Sequence, residues 1–166
     1  MKHKSKKKLV FDLDNTLYSP VVYPEKNYEY NFAKFYVDLK SDLKLGELLK
    51  KSDNYIFTNA NKEHMDLCLT KMRIKTQFKD TIYNDLYKGH YKPHKQVYHM
   101  AIEKFNFKKD DVIYFFEDLK SNLKTAHEFG WKTVYLDYHK TMKKKHSYID
   151  YKFDNIYDAI TFIQNI

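Results

Sequence analysis

The stretch LVFDLDNTLYSP, residues 9–20, places two aspartates directly after a run of apolar residues. The run from Leu9 to Phe11 is typical of a buried central strand. Asp12 and Asp14 then bring carboxylates to a region of low dielectric, where a charge is costly unless it is paired, protonated or bound to a metal. Side chains at positions i and i+2 of a strand share a face, so both carboxylates are predicted to approach one point beyond the sheet edge. The stretch therefore predicts a compensating cation near Asp12 and Asp14.

The composition of the chain is that of a globular protein. It has 166 residues, of which 43% are hydrophobic and 31% charged, and this length is typical of one domain. No apolar stretch reaches the roughly 20 residues of a membrane-spanning helix, and the N-terminus lacks the apolar segment of a secretory signal. The single cysteine, Cys68, excludes an internal disulfide and favours a reducing compartment. We therefore expect a cytoplasmic protein without a membrane partner.

The net charge of +8 raises the question of a nucleic-acid partner. Almost all of the positive charge comes from lysine, and Arg73 is the single arginine. Recognition of base edges and bidentate binding of phosphate favour the planar guanidinium of arginine. We therefore favour a small phosphorylated substrate, and nucleic acid stays an alternative partner.

Short apolar runs alternate with amphipathic segments along the chain. This alternation predicts an α/β fold in which a mainly parallel sheet is covered by helices on both faces. Gly130 directly follows a helical segment and is predicted to end it in the left-handed conformation. The predicted strands are residues 8–13, 54–58, 81–83, 111–116 and 132–136, and the predicted helices are residues 42–51, 62–74, 94–105, 122–129 and 156–163.

Polar residues follow several of the predicted strands, at the edge where such sheets bind ligands. Thr58 and Asn59 follow the second strand, and taken singly each is more often a helix N-cap than a phosphate ligand. Lys92 lies before a proline, and Glu117 with Asp118 ends a strongly apolar strand. Two pairs of carboxylates at one sheet edge would repel each other without a bound cation, and hard oxygen ligands suit Mg²⁺.

Four motifs in this order resemble the haloacid dehalogenase superfamily of phosphohydrolases: DLDNT, TN, KP and ED. The likeness runs from Leu9 to about Asp137. Within it, FTNANKEHMDLCL, KPHKQVYHMAIEKF and FFEDLKSNLKTAHEFGWKTVYL resemble the branch that contains pyrimidine 5′-nucleotidases. The resemblance implies a three-layer, Rossmann-like fold and phosphoryl-transfer chemistry.

The resemblance also implies a catalytic role for each matching residue. Asp12 would attack phosphorus and form an aspartyl-phosphate, which divides one difficult substitution into two easier ones. Asp14 would protonate the leaving alcohol and then deprotonate the water that hydrolyses the intermediate. Thr58, Asn59 and Lys92 would bind the phosphoryl oxygens, with Lys92 opposite the charge that develops in the transition state.

The implied cofactor is Mg²⁺. By resemblance, Asp12 and Asp118 would hold the metal together with the backbone carbonyl of Asp14. Glu117 would be a direct or water-mediated ligand, and Asn122 would support the loop or an acidic neighbour. The metal and Lys92 together would neutralise the carboxylates at the sheet edge.

Relatives that act on small substrates usually carry a helical cap between the first two motifs. Only 44 positions separate Asp14 from Thr58, so this chain is predicted to have a minimal or absent cap, a short flap at about residues 20–40. The aromatic residues of that segment are expected to cover the core rather than to stack on a base. We expect a single domain, residues 9–166, preceded by a basic extension, residues 1–8.

These features favour a Mg²⁺-dependent phosphomonoesterase acting on a pyrimidine nucleoside 5′-monophosphate. Two alternatives stay open: a phosphatase for a macromolecule, either a nucleic-acid 3′-phosphate end or a phosphoprotein, and a basic binding module without turnover. Every motif position is retained, which argues against the last alternative. His64 and Cys68 lie one helical turn apart but have no further partners for a zinc site, so they are predicted to be helix-packing and surface residues.

Overall fold

A computed structural model describes residues 7–19 and 32–166, apart from the side chains of residues 32 and 33. The first six residues and most of the predicted flap therefore lie outside the described residues. The six strands are β1 (Lys7–Phe11), β2 (Asp53–Phe57), β3 (Asp80–Ile82), β4 (Val112–Glu117), β5 (Lys132–Leu136) and β6 (Tyr151–Phe153). The α-helices are α1 (Phe32–Asp38), α2 (Leu43–Leu49), α3 (Lys62–Lys71), α4 (Lys95–Lys104), α5 (Lys120–Glu128) and α6 (Ile156–Asn165).

The six strands form one parallel sheet in the order β3-β2-β1-β4-β5-β6. The registers pair Phe11 of β1 with Ile56 of β2 and with Phe116 of β4. Because the three central strands are in register at their carboxyl ends, the residues that follow them emerge at the same edge. The predicted α/β class and parallel sheet are confirmed.

Two apolar clusters, one on each face of the sheet, explain why β1 reads as a continuous apolar run. Leu9 and Phe11 belong to one cluster and Val10 to the other, and all three are buried. The first cluster contains residues of α2, α3 and α6, and the second contains residues of α4 and α5. The helices thus form two layers around the sheet, which gives the three-layer architecture expected from the sequence.

Side-chain caps and one glycine set several helix ends. Asn61 caps α3, because its side-chain oxygen accepts a hydrogen bond from the backbone N–H of His64 at 2.8 Å. Thr58 and Asn59 lie ahead of the helix, so neither takes the alternative role of an N-cap. Gly130 has a φ of +76° after α5, as predicted for a left-handed residue at a helix end.

One strand was not predicted, and most element boundaries are shifted by one to three residues from those predicted. The strand β6 at Tyr151–Phe153 was not predicted, because it has only three residues and lies at the sheet edge, where one face of a strand stays partly exposed. Lys7 and Lys8 belong to β1, so this strand begins within the predicted basic extension. Within the predicted flap, the described part is α1, whose Phe35 is buried in the first apolar cluster.

None of the helices within residues 7–19 and 32–166 has the length and apolarity needed to cross a bilayer.

Candidate active site

All eight residues predicted for the site line one cavity of about 280 Å³ at the carboxyl edge of the sheet. Asp12 follows β1, Thr58 follows β2, and Glu117 is the last residue of β4. Parallel strands in register bring these three positions together although they are far apart in sequence. The other five predicted residues in the lining are Asp14, Asn59, Lys92, Asp118 and Asn122.

Lys92 is a cation next to Asp12, as the sequence predicts for this carboxylate. Its ammonium donates hydrogen bonds to Asp12 Oδ1 at 2.8 Å, to Glu117 Oε2 at 2.9 Å and to the carbonyl oxygen of Phe57 at 2.8 Å. Its side chain is only 1% exposed. Burial alone would lower the pKa of Lys92, but the two carboxylates outweigh burial and raise it, so the ammonium stays charged.

Glu117 is saturated with hydrogen bonds. Besides the bond from Lys92, its Oε2 accepts one from the side-chain amide of Asn122 at 2.8 Å. Its Oε1 accepts bonds from the backbone N–H groups of Asp118 at 3.0 Å and Leu119 at 2.9 Å. Burial would raise the pKa of Glu117, but Lys92 and these donors lower it. Glu117 therefore anchors both Lys92 and the loop after β4.

Asp12, Glu117 and Asp118 form an acidic cluster whose nearest oxygens lie within 4.8 Å of one another. Thr16, which the sequence analysis did not single out for the site, lies between two of them. Its hydroxyl is 3.3 Å from Asp12 Oδ2 and 3.4 Å from Asp118 Oδ1. Burial and the charge of Glu117 raise the pKa values of both Asp12 and Asp118.

The chemistry of this cluster fits a divalent cation. Three carboxylates meet one lysine, which leaves an excess of negative charge in a buried place. Oxygen donors are the ligands that Mg²⁺ prefers. Because the oxygens of Glu117 already accept four hydrogen bonds, Asp12 and Asp118 are the better direct ligands. Among the described residues, the buried Asn122 Oδ1 lacks a hydrogen-bond partner in the same cavity and could accept a bond from a metal-bound water.

Thr58 and Asn59 have different surroundings. The Thr58 hydroxyl oxygen accepts a hydrogen bond from the backbone N–H of Ala60 at 3.0 Å, so its own proton stays available to a ligand in the cavity. The Asn59 amide bonds the backbone of Lys92 twice, accepting from its N–H at 2.9 Å and donating to its carbonyl at 3.1 Å. These two hydrogen bonds between side chain and backbone fix the loop that carries Lys92. The binding of substrate by Asn59 stays a prediction.

Asp14 lies apart from the acidic cluster. β1 ends at Phe11, so Asp12 and Asp14 lie in the following loop, where Asn15 has a φ of +59°. The alternation of a strand does not apply there and does not explain their approach, but both residues line the cavity at the sheet edge. Asp14 Oδ1 instead accepts hydrogen bonds from His64 Nε2 at 2.7 Å and from the hydroxyl of Tyr18.

His64 bonds Asp14 and is a residue that sequence reasoning did not assign to the site. It belongs to the first turn of α3, and its Nδ1 lies 2.6 Å from the Tyr36 hydroxyl. Burial would lower the pKa of His64, but its hydrogen bonds to Asp14, Cys68 and Tyr36 raise it to about 11. The ring of His64 packs on Phe35 of α1, in agreement with the predicted packing role, but its hydrogen bond to Asp14 was not predicted. Cys68 is a core residue, as predicted.

A second, larger cavity of about 650 Å³ adjoins the first at Asp14, Asn15 and Ala60, which line both. It extends from Asp14 along α1 and α3. The side chains that line this larger cavity include three aromatic rings and the imidazole of His64: Tyr18, Phe35, Tyr36 and His64. A molecule bound at the acidic cluster could therefore extend past Asp14 into a partly aromatic space.

Solved structures show the same fold at low sequence identity. An L-2-haloacid dehalogenase from Xanthobacter autotrophicus is 13% identical with a TM-score of 0.66, and the match covers 87% of this chain and 69% of that one. The putative HAD-hydrolase YfnB from Bacillus subtilis, in a structure bound to magnesium, is 15% identical with a TM-score of 0.67 and coverages of 98% and 100%. An uncharacterized protein from Listeria monocytogenes serotype 4b is 16% identical with a TM-score of 0.65 and coverages of 96% and 99%.

The sequence itself matches one family model. No curated protein matches in a direct comparison of sequences. The model of haloacid dehalogenase-like hydrolases matches residues 23–136, which is more than half of the chain. The matched part contains Thr58, Lys92, Glu117 and Asp118, and it begins after Asp12. The sheet, the cavity at its carboxyl edge and this match agree, and the chain belongs to the haloacid dehalogenase-like hydrolases.

Proposed function

We propose that this hydrolase is a Mg²⁺-dependent phosphomonoesterase that acts through an aspartyl-phosphate. The observation that carries the proposal is the separation of its two aspartates. Asp12 lies against Lys92 in the acidic cluster, whereas Asp14 is held beside the cluster by other donors. A nucleophile and a proton carrier at one phosphate need such different surroundings.

In the first step, a carboxylate oxygen of Asp12 forms a bond to phosphorus and the bond from phosphorus to the leaving oxygen breaks. The electron pair of that bond goes to the leaving oxygen, which takes a proton from Asp14. In the second step, a water oxygen forms a bond to phosphorus and gives a proton to Asp14. The bond between phosphorus and Asp12 breaks, its electron pair returns to the Asp12 carboxylate, and inorganic phosphate leaves. One residue thus serves first as an acid and then as a base.

Lys92 and Thr58 bind the phosphoryl group in this scheme. The Lys92 ammonium faces Asp12, so it can stabilise charge that develops on the phosphoryl oxygens when Asp12 attacks. The Thr58 hydroxyl offers a proton in the same cavity. Asp12, Asp118 and the backbone carbonyl of Asp14 would hold Mg²⁺, with Glu117 contributing through water. When bound, the metal supplies positive charge that reduces repulsion between the anionic nucleophile and the anionic phosphate.

Asp14 favours phosphate-ester hydrolysis over dehalogenation, the activity named for several structural neighbours. A halide leaves carbon as a stable anion and needs no proton. An alcohol leaves phosphorus readily only when it is protonated. A carboxyl group that can protonate the leaving group serves the second reaction and is not needed for the departure of a halide, and the acidic cluster likewise suits a metal-assisted reaction on a phosphate.

The substrate that we propose is a nucleoside 5′-monophosphate, with a pyrimidine base favoured. With the phosphate at Lys92, the nucleoside would extend past Asp14 into the larger cavity. Tyr18 and Tyr36 line that cavity, are partly exposed, and bring aromatic surface to a base there. A short flap in place of a full cap is part of this proposal, with α1 as its described portion.

A substrate panel tests the proposed function. We would measure phosphate release from UMP, CMP, dTMP, AMP, GMP, 4-nitrophenyl phosphate and a 3′-phosphorylated oligonucleotide, each with Mg²⁺ and with EDTA. The control variant is Asp12→Asn, which keeps the shape of the side chain and removes the nucleophile.

Faster release from UMP or CMP, abolished by EDTA and by Asp12→Asn, is the expected result. A preference for the oligonucleotide would redirect the proposal to a macromolecular substrate and a basic docking surface. The absence of Mg²⁺-dependent release from every substrate would refute phosphatase function and favour a binding module.

A further inference from the structure

We propose that His64 is a positioning residue for proton transfer: together with Tyr18 it clamps Oδ1 of Asp14, so that Oδ2 carries the proton to and from the reacting oxygens. This inference rests on the proposed phosphatase function and concerns the orientation of Asp14, which acts as both acid and base in that reaction. It assigns a catalytic purpose to α3, whose sequence indicates packing alone.

The hydrogen bonds of Asp14 carry the inference. Both donors recorded to its carboxylate within the described part of the chain, His64 Nε2 and the Tyr18 hydroxyl, meet at the same oxygen, Oδ1. The other oxygen, Oδ2, therefore stays available for a proton. The Asp14 side chain is 39% exposed, so without these bonds it would rotate between several orientations in solvent.

His64 is itself fixed in place, as a clamp must be. Its side chain is 13% exposed and its ring stacks on Phe35 with centroids 5.8 Å apart. On its other side, Nδ1 lies 2.6 Å from the Tyr36 hydroxyl, and Cys68 Sγ lies 3.6 Å from Nε2. Contacts on several sides hold the imidazole in one orientation, so Asp14 is bonded to a rigid group.

The position of Asp14 explains why its orientation matters. Asp14 lines both the cavity of the acidic cluster and the larger aromatic cavity. In the proposed reaction the phosphoryl group occupies the first cavity and the leaving alcohol the second, so the proton has to be delivered at their junction. A misplacement of about 1 Å in such a group can cost on the order of a hundredfold in rate.

The test compares two substrates of similar shape that differ in their need for a proton. Benzyl phosphate releases an alkoxide unless it is protonated, whereas 4-nitrophenyl phosphate releases a stable phenolate. We would measure kcat/KM, which reports formation of the phosphoenzyme, for the wild type and for His64→Phe, which keeps a ring against Phe35 and loses the donor. We expect kcat/KM for benzyl phosphate to fall about ten- to a hundredfold and that for 4-nitrophenyl phosphate to fall less than about threefold.

Two further variants separate positioning from folding. His64→Gln keeps an N–H near the place of Nε2 and should restore most of the activity on benzyl phosphate. Tyr36→Phe removes the hydroxyl beside Nδ1 and should show the same selectivity with a smaller loss. The matched control is Tyr157→Phe, which removes the hydrogen bond to Asp42 at 2.6 Å elsewhere in the fold and should leave both substrates unaffected.

Equal losses on both substrates, or no loss on benzyl phosphate, would overturn the positioning role even if Asp12→Asn confirmed the phosphatase. If His64→Phe fails to fold, as judged by thermal unfolding, His64→Gln and Tyr36→Phe decide the question by the same ratio of kcat/KM values. A wild-type protein without turnover of either ester would overturn the proposed function, and this inference with it.

Discussion

Replacement of Lys92 by methionine tests whether this lysine is the cation that makes a buried acidic cluster tolerable. The substitution keeps an unbranched chain of similar length and removes the charge. Lys92 Nζ lies 2.8 Å from Asp12 Oδ1 and 2.9 Å from Glu117 Oε2, and its side chain is 1% exposed. The variant would therefore leave two buried carboxylates without a counter-charge.

Removal of one partner of a buried ion pair costs about 3–5 kcal/mol, because the remaining charge has lost both water and its partner. Lys92→Met should reduce the free energy of unfolding by this amount in EDTA at neutral pH. Removing one carboxylate as well should relieve part of the penalty, so the double variant Lys92→Met, Asp12→Asn should be more stable than Lys92→Met alone by about 1 kcal/mol or more.

Urea unfolding followed by circular dichroism measures these differences, provided that the slope of free energy against urea stays the same. The matched control is Lys104→Met. Lys104 pairs with Asp80 at 2.9 Å, but both side chains are 35% exposed, so this variant should lose less than about 1 kcal/mol. The reasoning would be refuted if Lys92→Met cost no more than Lys104→Met, or if Asp12→Asn gave no relief in its background.

Two further predictions concern the metal and the loop after β5. Mg²⁺ should raise the Tm of the wild type. In isothermal titration, Asp118→Asn should weaken Mg²⁺ binding about tenfold or more, and Glu117→Gln should weaken it less because the oxygens of Glu117 are already hydrogen-bonded. The opposite ranking would contradict the assignment of direct ligands. Asp137 is buried, and its carboxylate should stabilise the fold. Burial alone would raise the pKa of Asp137. Hydrogen bonds from the backbone N–H groups of Thr141 and Met142 and from the Thr141 hydroxyl, together with Lys152, lower this pKa to about 2. Since the pKa of Asp137 is lower in the folded state, its contribution to stability is present above the unfolded pKa of 3.8 and is lost as the pH falls through about 2. In urea unfolding, Asp137→Asn should therefore cost about 2 kcal/mol at pH 7 and far less at pH 2. An equal cost at both pH values would show that the charge is not responsible.

The strands could be predicted from the sequence because burial on both faces leaves a continuous apolar signal. In β1, Leu9 and Phe11 pack on one side and Val10 on the other, so no polar residue interrupts the run. The short strand β6 lacks this signal because an edge strand of three residues buries little. The cap of α3 could not be chosen from the sequence, because several polar residues precede the helix and only the backbone geometry decides that Asn61 is the cap.

The carboxyl ends of the strands could be predicted as the site because the strands themselves could be located. Once the strands are located, parallel pairing forces the residues after β1, β2 and β4 to a common edge. The convergence of Asp12, Thr58 and Glu117 therefore follows from the order of the strands. Lys92 lies beyond β3, and the hydrogen bonds between Asn59 and its backbone hold it at this edge. The roles within the cluster do not follow, since whether Glu117 holds a metal or a lysine depends on which donors reach its oxygens.

By itself, the sequence determined the α/β class and which side chains line the cavity at the sheet edge, because the periodicity of burial and the order of strand ends are properties of the chain. Only the tertiary structure decided that the Asp14 carboxylate is bonded to His64, 50 positions further along. That contact depends on how α3 packs against the loop after β1, and a histidine on a helix has the same local signal whether it faces solvent, the core or a catalytic carboxylate. Local sequence patterns specify helices and strands, whereas the orientation of a side chain is set by the packing of elements that are distant in sequence.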